Sequence, residues 1–183
     1  MASPVSTSRV LFALFLLVAL TAAGADAANV LVVNNCPFTV WPAAFPPELG
    51  GGTQLNPGQT WQVPVPAGTK GSRIWARTGC IFFNNNGRCV TGDCAGALRC
   101  EVSGKPPATL AEFTIGENAS NDMDYFDVSV VDGFNVPMDF VSSTGGAIRC
   151  RDPGSGCADG SHGGAARVHQ CRGNSDYQVT FCP

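Results

Sequence analysis

Between Glu101 and Asp139 the chain carries eight acids, Glu101, Glu112, Glu117, Asp122, Asp124, Asp127, Asp132 and Asp139, against one base, Lys105. Alternation sets two of these carboxylates apart. In the run from Leu110 to Ile115, Glu112 points away from Phe113 and Ile115; in the next apolar run, Asp127 points away from Phe126 and Val128. Successive side chains of a strand leave on opposite faces, so if these two strands pair, both carboxylates line one polar face. Such a face suits two chemistries. Ionised oxygens on a rigid sheet accept hydrogen bonds from sugar hydroxyls, and an aromatic ring stacks against the apolar face of a pyranose. Tyr125 and Phe113 are the nearby rings, although Phe113 belongs to the core side. Alternatively, Glu112 with Asp124 or Asp127 makes a glycosidase pair. That needs a separation of roughly 5–5.5 Å for retention or 6.5–9.5 Å for inversion, and one carboxyl with a raised pKa. Crowding of like charge raises a pKa, and Lys105 nearby would lower it. Charge segregation alone is also what ordinary solvated turns and strand faces produce.

Short strands are the elements available to hold these groups. Apolar residues recur at every second position in Trp61/Val63/Val65, Phe126/Val128/Val130, Phe134/Val136/Met138/Phe140 and Tyr177/Val179/Phe181. Val30 to Val33 is continuously apolar, as in a strand buried on both faces. Turn signals separate the runs at Asn56-Pro57-Gly58, Pro66-Ala67-Gly68 and Asp132-Gly133. No 3.6-residue periodicity of useful length follows residue 28, so the expectation is an all-β, antiparallel sandwich. Thr144–Gly173 is rich in glycine and poor in large apolar residues; it reads as a long loop stapled by disulfides. There is no internal repeat.

The N-terminus sets the compartment. Arg9 precedes an apolar run from Val10 to Leu20, followed by Ala25-Asp26-Ala27. The run is too short to span a bilayer and suits a signal peptide cleaved after Ala27 or Ala28. Residues 1–28 are therefore expected to be removed, leaving 29–183 as one domain with no stable membrane anchor. All nine cysteines, Cys36, Cys80, Cys89, Cys94, Cys100, Cys150, Cys157, Cys171 and Cys182, lie in that domain. In an exported chain they form a disulfide framework, and the odd count leaves at least one without an intramolecular partner. His162 and His169 match no compact zinc spacing, so neither a metal nor another cofactor is expected. A net charge of −3 argues against nucleic acid as the main partner. Nucleophile-elbow, P-loop and dinucleotide motifs are absent. Asn118-Ala119-Ser120 is a glycosylation sequon, placed so that a glycan narrows access to the acidic face.

Five motifs then converge in order: Asn34-Asn35-Cys36-Pro37-Phe38-Thr39-Val40-Trp41-Pro42; Cys89-Val90-Thr91-Gly92-Asp93-Cys94; Pro106-Pro107-Ala108-Thr109-Leu110-Ala111-Glu112-Phe113; Gly133-Phe134-Asn135-Val136-Pro137-Met138; and Tyr177-Gln178-Val179-Thr180-Phe181-Cys182-Pro183. Over essentially the whole mature chain this resembles the thaumatin-like proteins, pathogenesis-related family 5 of plant defence, in a small subclass with a truncated second domain. One departure is Asn85, where the family's signature has a glycine.

The resemblance implies a flattened β-sandwich and the pairings Cys36–Cys182, Cys80–Cys89, Cys94–Cys100 and Cys150–Cys157. The first would close almost the whole mature chain, worth on the order of 4–5 kcal/mol in the chain-entropy model. The subclass usually has ten cysteines; the missing one falls near Gly145 and leaves Cys171 unpaired. A buried inert thiol, competition with Cys157 for Cys150, and an intermolecular bridge are all open to it. The resemblance also implies an acidic cleft, carried over here as Lys105 (in place of an arginine), Glu112, Asp124 and Asp127. A fifth member, an aspartate, falls near Gly164 and is lost. The expected function is that of a secreted, antifungal protein of the apoplast, a monomer that binds β-1,3-glucan or other fungal wall components. The alternatives are a weak endo-β-1,3-glucanase, with Glu112 and Asp127 as catalytic candidates, and an inhibitor of a microbial xylanase. Loss of one cleft member favours binding over hydrolysis.

Overall fold

The structure, a computed structural model, describes residues 28–117, 122–163, 165–173 and 175–183. Of the leader expected over residues 1–28, all but Ala28 lies outside these residues, as does the sequon at Asn118. Among the described residues twelve strands follow one another: β1 (Ala28–Asn34), β2 (Trp41–Phe45), β3 (Thr60–Val65), β4 (Ser72–Arg77), β5 (Ile81–Phe83), β6 (Asn86–Arg88), β7 (Leu110–Thr114), β8 (Met123–Ser129), β9 (Met138–Ser142), β10 (Ala147–Cys150), β11 (His169–Arg172) and β12 (Tyr177–Phe181). They form two five-stranded sheets, ordered β10-β9-β12-β1-β3 and β11-β8-β7-β4-β2, with β5-β6 as a separate hairpin.

The core fills the space between the sheets. Val30, Val32, Val63, Phe140, Val179 and Phe181 come from the first sheet, and Ile74, Ala76, Phe113, Phe126 and Val128 from the second; all are buried. Phe126 sits edge-on to Phe140 and Tyr177, with ring centroids 5.3 and 5.6 Å apart, contacts worth about 0.5–1.5 kcal/mol each beyond burial. Gly58, Gly68 and Gly133, the glycines of the three turn signals, all have positive φ, which L side chains rarely adopt.

The sheets are antiparallel except for one pair. β1 runs parallel to β12, with Asn34 opposite Phe181. This brings the strand ends together and sets Cys36 beside Cys182, which are bonded across 146 residues of sequence. Cys80–Cys89, Cys94–Cys100 and Cys150–Cys157 are the other bridges, and Cys171 is free and buried.

Three expectations change. Val30 to Val33 is not buried on both faces: Val30 and Val32 are fully buried, while Leu31 and Val33 are partly exposed, because only one face of the first sheet packs on the second. The run beginning at Phe134 becomes a strand only at Met138; Asn135 holds the preceding segment in a loop by donating to Ala76 O and Thr91 Oγ1. Thr144–Gly173 is not all loop. It contributes β10 and β11, the outer strands of the two sheets, whose single buried faces need few large apolar residues.

Candidate functional site

The outer face of the second sheet is divided in two. On β4 the outward residues are Arg73, Trp75 and Arg77. The Trp75/Arg77 end is covered by the disulfide-bridged segment that follows it in sequence. Trp75 Nε1 donates to Gly92 O at 2.8 Å. Arg77, fully buried, donates to the carbonyls of Trp41, Ala97 and Leu98 at 2.9, 2.7 and 2.7 Å. Its guanidinium lies over Phe82, and burial lowers its pKa to about 10. The Arg73 end stays open.

There the register forms a row. Arg73 lies opposite Glu112, and Glu112 opposite Asp127, so three charged side chains cross β4, β7 and β8 on one face. Directly opposed residues have Cβ atoms only about 4.5–5.5 Å apart. Arg73 Nη2 is 3.7 Å from Glu112 Oε1, and Arg73 Nη1 donates to Ser103 Oγ at 3.1 Å. Ser161 Oγ donates to Asp127 Oδ2 at 2.5 Å. A depression of about 520 Å³ lies over the pair, its far wall formed by Ser161, His162, Ala165, Ala166 and Val168. A second, of about 270 Å³, continues from the same two carboxylates toward Thr114 and Tyr125. Tyr125, Val131 and Val168 keep 45%, 59% and 55% of their surface exposed, so the acidic floor has an apolar and aromatic rim.

Burial, then the neighbouring Asp127 and more weakly Asp132, push the Glu112 carboxyl above the ordinary range; Arg73 and a hydrogen bond from Ser129 oppose this. Burial also raises Asp127, but the Ser161 hydrogen bond and His169 pull it back. In both carboxyls burial works against the charge, and a hydroxyl donor, Ser129 for Glu112 and Ser161 for Asp127, supports the ionised form.

Two expected members of the cleft are elsewhere. Asp124 is fully buried. It shares the inward face of β8 with Phe126 and accepts from Gly116 N, Ser175 N and Tyr177 Oη at 2.8, 3.2 and 2.7 Å. Lys105 is exposed and has no ion-pair partner among the described residues; its backbone N–H donates to Asp93 O. The cation beside Glu112 is Arg73, 39 residues before it in the chain, and the additional acid near it is Asp132. A sequence signal for Arg73 existed in the alternation Ser72/Ile74/Ala76 against Arg73/Trp75/Arg77, but nothing local shows which strand it pairs with. Gly164, where the missing acid falls, lies outside the described residues.

The comparisons agree with this architecture. Residues 34–163 match the Thaumatin family. Thaumatin-like pathogenesis-related protein 3 of Avena sativa is 57% identical over 171 residues, covering 93% of this chain and 96% of its own. Zeamatin of Zea mays is 50% identical over 144 residues, but these span only 58% of zeamatin against 78% of this chain. Among solved structures, the thaumatin-like xylanase inhibitor TLXI superposes with a TM-score of 0.68 at 36% identity, covering 84% of this chain and 99% of the inhibitor. The chain belongs to the thaumatin family and is one of its small members.

Proposed function

We propose that this is a secreted plant defence protein, acting as a monomer in the apoplast, that binds β-1,3-glucan or a related fungal wall polysaccharide. The observation that carries the reading is the row Arg73–Glu112–Asp127 on one open sheet face, rimmed by Tyr125. It offers charged acceptors and a donor for sugar hydroxyls beside an aromatic ring, the combination carbohydrate sites use. The pathogenesis-related naming of its Avena sativa relative supports a defence role. Cleavage of the leader after Ala27 fits better than after Ala28, because Ala28 is buried as the first residue of β1, opposite Val65.

A pull-down on insoluble β-1,3-glucan tests this. Wild type is expected in the pellet, with Glu112→Gln and Asp127→Asn largely in the supernatant. Equal retention of all three would overturn the assignment. Reducing-sugar release in the same tubes addresses hydrolysis: turnover abolished by Glu112→Gln with binding spared would make the protein a weak endo-β-1,3-glucanase.

One observation favours a second reading. The likeness to a xylanase inhibitor runs over 99% of that protein, which supports a microbial glycoside hydrolase as partner. Xylanase inhibition that survives both cleft substitutions would place that activity on another surface.

A further inference from the structure

The loop after Cys157 does more than wall the groove. Ser161 is buried, and its backbone is stitched to β8 from both sides: Ser161 N donates to Val128 O at 2.7 Å, and Val130 N to Ser161 O at 2.9 Å. Cys150–Cys157 anchors the loop just upstream. Gly160 lets it lie close, since a Cβ there would sit 2.6 Å from Cys157 Sγ and 2.9 Å from Val128 O. The side chain of Ser161 is equally constrained. Its Oγ accepts the backbone N–H of Arg167 at 2.9 Å and contacts Asp127 Oδ2. A hydroxyl has a single proton, and an amide N–H can only donate. The proton of Ser161 is therefore committed to Asp127.

We infer that Ser161 is the positioning residue of this cleft: oriented by the Arg167 amide, it holds Asp127 Oδ2 as an ionised acceptor and leaves Oδ1 for the ligand. This deepens the glucan-binding reading and rests on it for the identity of the ligand. Asp127 is thereby the fixed acceptor of the pair. The charged and titratable groups around Asp127 are Glu112 on β7, His169 on β11 and His162, which lines the same depression; Arg73 on β4 and Asp132 beyond β8 act through Glu112.

The test is a carbon-detected NMR titration of the Asp127 and Glu112 carboxyls in the full mature chain, run beside laminarin binding as a function of pH. Ser161→Ala removes the donor, so the Asp127 midpoint should rise by roughly one pH unit, and the acid edge of laminarin binding should rise with it. Ser161→Thr keeps the hydroxyl and should restore both. Arg167→Pro removes the amide that orients Ser161 and should shift the midpoint in the same direction by less; it also serves if Ser161→Ala does not fold. An Asp127 midpoint unchanged in Ser161→Ala and Arg167→Pro would overturn the inference, even where laminarin binds. Shifted midpoints in a protein that never binds laminarin would uphold Ser161 as the positioning residue and reject the glucan reading.

Discussion

Asp124 and Asp127 stand three residues apart on the same strand and do opposite work. Asp127 faces outward, in a row with Glu112 and Arg73 under an open groove. Asp124 faces inward and receives three donors, from Gly116, Ser175 and Tyr177. Around it a polar network continues through Tyr177 Oη to Cys171 Sγ at 3.1 Å, and from there to Ser142 Oγ at 3.3 Å. This network joins β8 and β11 of one sheet to β9 and β12 of the other. Carboxylate chemistry alone does not mark a binding residue; the face of the pleat does. A buried carboxylate surrounded by donors is framework, whereas one half-supplied with donors at a groove is available to a ligand.

Breaking the inner site should have the largest effect on folding. Asp124→Ala leaves three donors facing an apolar gap, and each unsatisfied buried group costs about 1–3 kcal/mol. A loss of at least about 3 kcal/mol is expected, seen in calorimetry as a Tm lower by roughly 6–12 °C. Tyr177→Phe removes one of those donors and the contact to Cys171. It should cost about 1–2 kcal/mol in urea unfolding while leaving glucan retention unchanged.

The outer site should respond in the opposite sense. Folding raises the Glu112 and Asp127 pKa values, so the folded state binds protons more tightly than the unfolded chain. Stability from this source is present at low pH and is lost as pH rises through the raised folded values. Glu112→Gln removes that penalty. At neutral pH it should melt no lower than wild type and slightly higher, the advantage fading as pH falls below the ordinary carboxylate range. A Glu112→Gln melt below wild type at neutral pH would make Glu112 framework as well, and the contrast between the faces would fail there.

The smallest effect concerns Cys171. Its thiol is buried between Ser142 and Tyr177, so Ellman's reagent should find no reactive thiol in the native protein and one after denaturation. A reactive native thiol would mean the inner network is open to solvent.

Much of this arrangement was legible in the residues. Period-two alternation around Phe113 and Phe126 turns Glu112 and Asp127 to one side, and two consecutive strands are natural neighbours. The same alternation puts Asp124 on the side of Phe126, inside, and it overrides the motif position that suggested a cleft residue. Arg73 was harder to place. Its strand meets β7 only after the chain has passed through the β5-β6 hairpin and two disulfide loops, and no local pattern reports a pairing across so long an excursion. Ser161 was harder still. It lies in a segment without periodicity, and its place beside β8 follows from backbone hydrogen bonds and a close-fitting Gly160. The parallel pairing of β1 with β12 is likewise a property of the closed chain, visible beforehand only in the cysteines at its two ends.

The most direct test of the division between the two faces is a calorimetric titration of Asp127→Asn with laminarin, paired with its melting curve. At least a tenfold loss of affinity is expected, the worth of about one charge-assisted hydrogen bond, with a Tm no lower than that of wild type. Unchanged affinity, or a loss of affinity that comes with a lowered Tm, would contradict it.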